Sequence, residues 1–179
     1  MPFELIHSEQ VYNGRAFKVR RDRIGLPDGR AAELDIVDHV DSVLIIPLGE
    51  DGKVYLVRQY RHATGGELLE LPAGTLHLGE DPLVCARREV REETGLDAER
   101  IQEIGSFYLA PGYSTEFMHV YLASGLHPDP LEQDEDEFIE LVSMPLEEAL
   151  ELARTGKIPD AKTLAGLLLI QSIGKGDAD

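Results

Sequence analysis

The chain has 179 residues, 42% of them hydrophobic, and sets 34 acidic side chains against 17 basic ones for a formal net charge of −17. That length suits one compact domain with room for a small extra lobe, and that charge repels a polyanion over most of the surface, so no nucleic-acid partner is expected while divalent cations are natural ones. The longest apolar runs, residues 43–48 and 164–170, fall short of the roughly 20 residues of a membrane helix; the opening residues do not read as a secretory leader, and one cysteine, Cys85, allows no intrachain disulfide, so a cytoplasmic protein with no membrane partner is expected.

Residues 1–40 alternate short apolar and polar runs and place Asn13-Gly14 and Asp28-Gly29 where tight turns favour positive φ, which predicts a small antiparallel sheet. Val43 to Leu48 reads as an apolar strand, Asp51-Gly52 as a turn, and Val54 to Val57 as a strand leading out to Arg58-Gln59-Tyr60-Arg61. A helix is expected over 82–94, because Asp81 can cap it, Pro82 suits its first position and Gly95 suits the left-handed residue past its end. Leu83, Ala86 and Val90 recur at helical spacing and are expected in the core, with Cys85 half-buried beside them. Strands over 103–109 and 117–123 flank the turn-rich Pro111-Gly112-Tyr113-Ser114. An acidic segment, 132–137, precedes a strand over 138–143 and helices over 146–154 and 161–173.

At about 100° per residue, Glu89 and Glu93 lie roughly 40° apart on one helix face, with Glu92 about 60° to the far side of Glu89. Like charges so placed oppose the helix unless a cation relieves them. Arg88, four residues before Glu92, can pair with it and leave Glu89 and Glu93 to a ligand. Such hard oxygen donors suit Mg²⁺ or Mn²⁺, which complete their octahedra with water and phosphate; spacing alone is equally compatible with a solvated acidic face. The six histidines show no paired spacing of the H-E-x-x-H kind and read as surface or core residues.

The segment Gly74 to Leu96, GTLHLGEDPLVCARREVREETGL, resembles the Nudix hydrolase box, G-x5-E-x7-R-E-U-x-E-E-x-G-U with U aliphatic, at every specified position: Gly74, Glu80, Arg88, Glu89, Val90, Glu92, Glu93, Gly95 and Leu96. The resemblance implies an α+β chain with that family's fold, a mixed sheet sandwiched between helices, preceded by a small N-terminal antiparallel sheet lobe. The lobe takes residues 1–40, the hydrolase domain 41–174 and a frayed tail 175–179. It further implies cleavage of the pyrophosphate of a nucleoside diphosphate derivative, with Glu89 and Glu93 on the metal, Arg88 and Glu92 supporting catalysis, and Glu80 steadying the loop.

Flanking residues resemble the ADP-ribose pyrophosphatase branch: Glu70-Leu71-Pro72-Ala73-Gly74 before the box, Gln59-Tyr60-Arg61 upstream, Pro111-Gly112 with Ser114 and Glu116 after it, and Gly156-Lys157-Ile158 with Asp160-Ala161-Lys162-Thr163 near the end. That likeness implies hydrolysis of ADP-ribose to AMP and ribose 5-phosphate, with the Ala73 carbonyl as a further metal ligand. Aligning 134–139 with the branch's acidic loop makes Glu135 the base and Glu137 a metal contact; a slip of register would pass the part to Asp134 or Glu132. Arg61, with Arg58 as its rival, is expected to hold a phosphate through its planar fork. Glu70 and Glu116 read as ribose or metal-water contacts, and Tyr12, Phe17 or Tyr60 as the base-stacking ring.

The N-terminal lobe of such relatives packs across a second subunit, so a homodimer is expected. Val40-Asp41-Ser42 departs from the Pro-Gly-small turn of those relatives, which puts the local turn in doubt. GDP-mannose or another nucleotide sugar is the alternative substrate. A non-catalytic nucleotide sensor is the alternative of another class, against which stand the complete box and the absence of a basic segment. The acidic run 134–137 lacks the central glycine and spacing of a helix-loop-helix calcium site.

Overall fold

The computed structural model describes residues 3–132 and 138–176, which divide into two compact units, one formed by residues up to Asp41 together with Phe107–Phe117, the other by the remainder. The first is built on three antiparallel strands, β1 (Glu4–Asn13), β2 (Lys18–Gly25) and β3 (Ala31–Asp38), in that order across the sheet. At the β2–β3 turn Gly29 takes φ 86°, as expected, and the Asp28 carboxylate accepts from the backbone N–H and Nε of Arg30. The β1–β2 turn differs from expectation. It spans residues 14–17, closed by Gly14 N–H to the Phe17 carbonyl at 3.0 Å, and Gly14 is not among the positive-φ glycines. A Cβ there would stand 2.5 Å from the exposed Tyr12 ring, which would have to swing aside.

The 107–117 segment, read from sequence only as a turn between strands, is laced to the end of β3. Val37 N–H donates to Tyr113 O at 2.7 Å and Thr115 N–H to Val37 O at 3.0 Å. His39 N–H donates to Thr115 Oγ1, whose hydroxyl returns a bond to His39 O. These bonds satisfy backbone groups that the end of the sheet would otherwise leave unpaired.

The rest of the chain supplies strands β4 (Ser42–Pro47), β5 (Lys53–Arg61), β6 (Gly66–Glu70), β7 (Ala73–Thr75), β8 (Leu96–Tyr108), β9 (Phe117–Pro128) and β10 (Ile139–Pro145), with helices α1 (Pro82–Thr94), α2 (Leu146–Arg154) and α3 (Ala161–Gly176). One sheet runs β7-β4-β9-β8 and another β10-β5-β6. β4 pairs parallel with β9 and antiparallel with β7, so its sheet is mixed, and every one of its residues is buried. Both faces of such a strand must be covered by other elements. Val43 and Ile45 pack in one cluster with Cys85, Ala86 and Val90 of α1 and with Tyr121 and Ala123 of β9. Leu44 and Ile46 point the other way, where the backbone of Gly166 in α3 comes so near that a Cβ would meet Leu44 Cδ2 at 2.8 Å. This is the α+β arrangement, a mixed sheet between helices, that the box implied.

Helix α1 keeps its expected bounds. Asp81 Oδ1 accepts from the backbone N–H of Leu83 at 2.9 Å, and Gly95, at φ 72°, donates to the Arg91 carbonyl. Two expectations for its apolar stripe are corrected. Leu83, in the first turn, leaves 44% of its surface open in a cleft shared with Ile101 and Tyr121. Cys85 is fully buried, packed with Ala86 in the cluster around Val43 and Ile45 of β4. Among the described residues no helix is long and apolar enough to cross a membrane.

Candidate active site

Helix α1 presents its acidic strip toward the loop that enters it, and Arg88 organises both. Its Nε and Nη2 each lie 3.0 Å from an oxygen of Glu80, a two-point grip, and Nη1 reaches Glu89 at 2.7 Å and Glu92 at 2.9 Å. The expected Arg88–Glu92 pair therefore forms, but Glu89 is not left over from it: one nitrogen serves both carboxylates. Glu80 also accepts from His77 N–H at 2.8 Å. The Arg88 hydrogen bonds, outweighing burial, hold the Glu80 carboxyl down to about 2, and Glu80 in turn raises the Arg88 guanidinium above its ordinary value. The loop from Gly74 to Glu80 is thus pinned to α1 by ionic hydrogen bonds, among the stronger kind available to a side chain.

Glu89 and Glu93 are the buried members of the strip, 9% and 4% exposed. The Glu89 carboxylate lies over the Cα of Gly74, and Glu93 Oε2 accepts from Ala73 N–H at 3.1 Å. Strand β7 thereby sits directly beside both carboxylates, its register set by Leu44↔Ala73 and Val43↔Gly74 in β4. Among the described residues no three acidic, histidine or cysteine side chains form a ready-made metal cage. The donor set nevertheless fits Mg²⁺ or Mn²⁺, ions commonly held by one or two carboxylates together with water and phosphate, and it consists of hard oxygens only.

Arg58 and Arg61 are separated by three positions on β5, which sends their side chains to opposite faces. Arg58 Nε lies 3.3 Å from the exposed Glu140. Arg61 meets Glu70 through two parallel bonds, Nε to Oε1 and Nη2 to Oε2, both 2.8 Å. The fork expected to grip a phosphate is therefore already engaged along one edge. Glu70, 1% exposed, is penalised by burial, yet Arg61 and Lys162 overcome that penalty and keep its carboxyl below the usual range. Lys162 Nζ contacts Glu70 Oε2 and lies 3.0 Å from Asp160 Oδ1. Lys162, Asp160 and Thr163 are the members of this set without a role in the sequence reading; the only signal for them was the likeness of Asp160-Ala161-Lys162-Thr163 to the family.

Glu116 belongs to the first unit, with an oxygen 3.9 Å from His39 Nδ1. Tyr12 and Phe17 belong there too, ring centroids 6.2 Å apart. Tyr60 is exposed on β5, and Glu132 is exposed. Glu135, Glu137 and Asp134 lie outside the described residues.

The family model described as NUDIX domain matches residues 38–167. The methanol dehydrogenase activator of Bacillus methanolicus is 38% identical over 168 residues, covering 93% of this chain and 91% of that protein. The ADP-ribose pyrophosphatase of Bacillus subtilis (strain 168) is 36% identical over 168 residues with the same two coverages, 93% and 91%. A solved structure titled "Crystal structure of ADP compounds hydrolase" aligns with a TM-score of 0.89 at 25% identity, over 99% of this chain and 97% of that one.

Proposed function

The chain belongs to the Nudix family, and from that premise we propose that it hydrolyses the pyrophosphate bond of a nucleoside diphosphate derivative with the aid of Mg²⁺ or Mn²⁺, converting ADP-ribose and water to AMP and ribose 5-phosphate. The observation that carries this reading is the pair of buried carboxylates, Glu89 and Glu93, held against Gly74 and Ala73 by Arg88 and the Ala73 N–H. Two buried acidic groups fastened on a helix face beside a strand of the same loop are poor as packing and good as a cation site. The choice of ADP-ribose is supported by the Bacillus subtilis pyrophosphatase, similar over nearly the whole chain.

A pyrophosphate can be cut once the charge on its oxygens is neutralised and a water is aimed at one phosphorus. The divalent cation, when bound, supplies the first and makes water more acidic. In this reading Glu89, Glu93 and the Ala73 carbonyl hold the cation, with Glu137 as a further contact. Arg88, held in turn by Glu92, keeps Glu89 in place, and Arg61 donates to a phosphate oxygen from the edge that Glu70 does not occupy. Glu135 takes a proton from the attacking water. The water oxygen bonds to phosphorus, the bond from that phosphorus to the bridging oxygen breaks, and the electron pair leaves with the bridge as the other monophosphate. Glu70, its oxygens taken by Arg61 and Lys162, positions Arg61; Arg58 is the weaker phosphate candidate, given its partner Glu140. The ring that stacks the base is sought among Tyr12, Phe17 and Tyr60.

The exposed apolar side chains of β1, Leu5, Ile6, Val11 and Tyr12, support a homodimer formed through the N-terminal strands. The test of the substrate is kcat/KM over ADP-ribose, GDP-mannose, NADH and diadenosine polyphosphates with Mg²⁺. ADP-ribose is expected first; GDP-mannose first would move the substrate and keep the chemistry.

A further inference from the structure

Four ionisable groups meet at the end of strand β6, and one of them, Arg61, is far more exposed than the others. The side chains of Glu70, Lys162 and Asp160 are 2%, 14% and 15% exposed, against 39% for Arg61. Two cations face two carboxylates, and the charge of Glu93 also acts on Arg61. Glu70 is the hub. Its Oε1 takes Arg61 Nε, while its Oε2 is shared by Arg61 Nη2 and Lys162 Nζ.

Lys162 is held from behind. It lies in the first turn of α3, where Asp160 Oδ2 caps the helix by accepting from Thr163 N–H at 3.0 Å and Thr163 Oγ1 at 2.6 Å. Thr163 Oγ1 in turn accepts from Leu71 N–H at 2.9 Å. The ammonium of a lysine is ordinarily mobile on its stem; here the stem starts from a capped helix end bonded to the residue next to Glu70. The only group of the four with a substantial open surface is the guanidinium, and the edge carrying Nη1 takes no part in its two bonds to Glu70.

We infer that Lys162 is a positioning residue for the substrate's diphosphate: it neutralises the second oxygen of Glu70 and the facing oxygen of Asp160, and so leaves the charge of Arg61 available to a phosphate. This rests on the diphosphate substrate proposed above. Without Lys162, two buried carboxylates would share one guanidinium. An unpaired buried charge is costly, and Arg61 would be held inward to relieve it, with a smaller net positive charge toward the ligand. A lysine that merely fastened α3 would, on removal, lower stability without touching phosphate affinity.

The experiment is calorimetric titration of ADP, a diphosphate that need not be cleaved, into wild type, K162M and K162R with Mg²⁺, beside ADP-ribose kinetics and thermal unfolding. K162M is expected to weaken ADP about tenfold or more, the scale of one lost charge-assisted hydrogen bond, and to raise KM in parallel while kcat changes far less; K162R is expected to restore both. ADP affinity in folded K162M equal to wild type overturns the inference, as does loss of affinity in K162R, the variant that also decides the matter should K162M not fold. Wild type that binds ADP without cleaving ADP-ribose sinks the substrate reading and leaves the role of Lys162 to the ADP titrations, whereas wild type that binds no ADP removes the diphosphate site and Lys162's part in it.

Discussion

Gly74 and Glu89 are packed backbone to carboxylate: a Cβ at position 74 would stand 2.0 Å from Glu89 Cδ. The first glycine of the box is therefore required by space. G74A must push Glu89 out of its seat or bend β7 away from β4, at a cost of about 1–3 kcal/mol for overpacking. Lower stability in urea and a large loss of kcat are expected together. Wild-type turnover in G74A would mean that the position of the Glu89 carboxylate does not matter to the reaction.

E93Q keeps the shape of the side chain and can still face Ala73 N–H, but it removes the charge. Turnover is expected to fall by more than the roughly 10–100-fold that residues supporting a metal ligand are worth, with an unchanged unfolding midpoint. Kinetics over a Mg²⁺ titration check this, and wild-type activity at saturating Mg²⁺ would contradict the assignment of Glu93 to the cation.

The Glu80–Arg88 grip carries a pH signature. The Glu80 carboxyl is lowered from 4.5 to about 2 in the folded chain, so its stabilising contribution is complete above the unfolded value and disappears as pH falls from about 4.5 toward 2. E80Q lacks it throughout. The stability gap between wild type and E80Q, measured by urea unfolding, is expected to be constant from neutral pH to about 5 and to close below 4.5. A gap that widened in acid would reverse the sign and refute the ion pair.

Cys85 is expected to be chemically silent. Burial first, and the charge of Glu89 second, push its thiol up to about 12, and it is fully enclosed. A thiol-directed reagent at mildly alkaline pH should leave the folded protein unmodified and label it stoichiometrically in denaturant. Rapid labelling of the folded chain would show that α1 separates readily from β4.

The parts of the site that were legible in sequence are those carried by local rules. Asp81, Pro82 and Gly95 bound α1 correctly because capping and positive φ act within a few residues. The box placed Arg88, Glu89, Glu92 and Glu93 together because they share one helix. What escaped is tertiary. The reach of Arg88 back to Glu80 and across to Glu89 depends on the loop folding over the helix. Strand β7 is only three residues long, too short for a period, and exists by pairing with β4. Strand β8 begins at Leu96, earlier than expected, because pairing with β9 overrides the polar Asp97, Glu99 and Arg100. Arg61 and Arg58 were indistinguishable until their partners Glu70 and Glu140 appeared. Lys162 stands 92 residues from Glu70, beyond any spacing rule.

The most direct measurement is release of AMP from ADP-ribose by the purified protein, with Mg²⁺ and with EDTA. Metal-dependent formation of AMP and ribose 5-phosphate in equal amounts, abolished by EDTA and by E93Q, is the expected result. Cleavage that persists in EDTA, or metal-dependent binding of ADP-ribose with no AMP formed, would contradict a cation-assisted hydrolase built on Glu89 and Glu93.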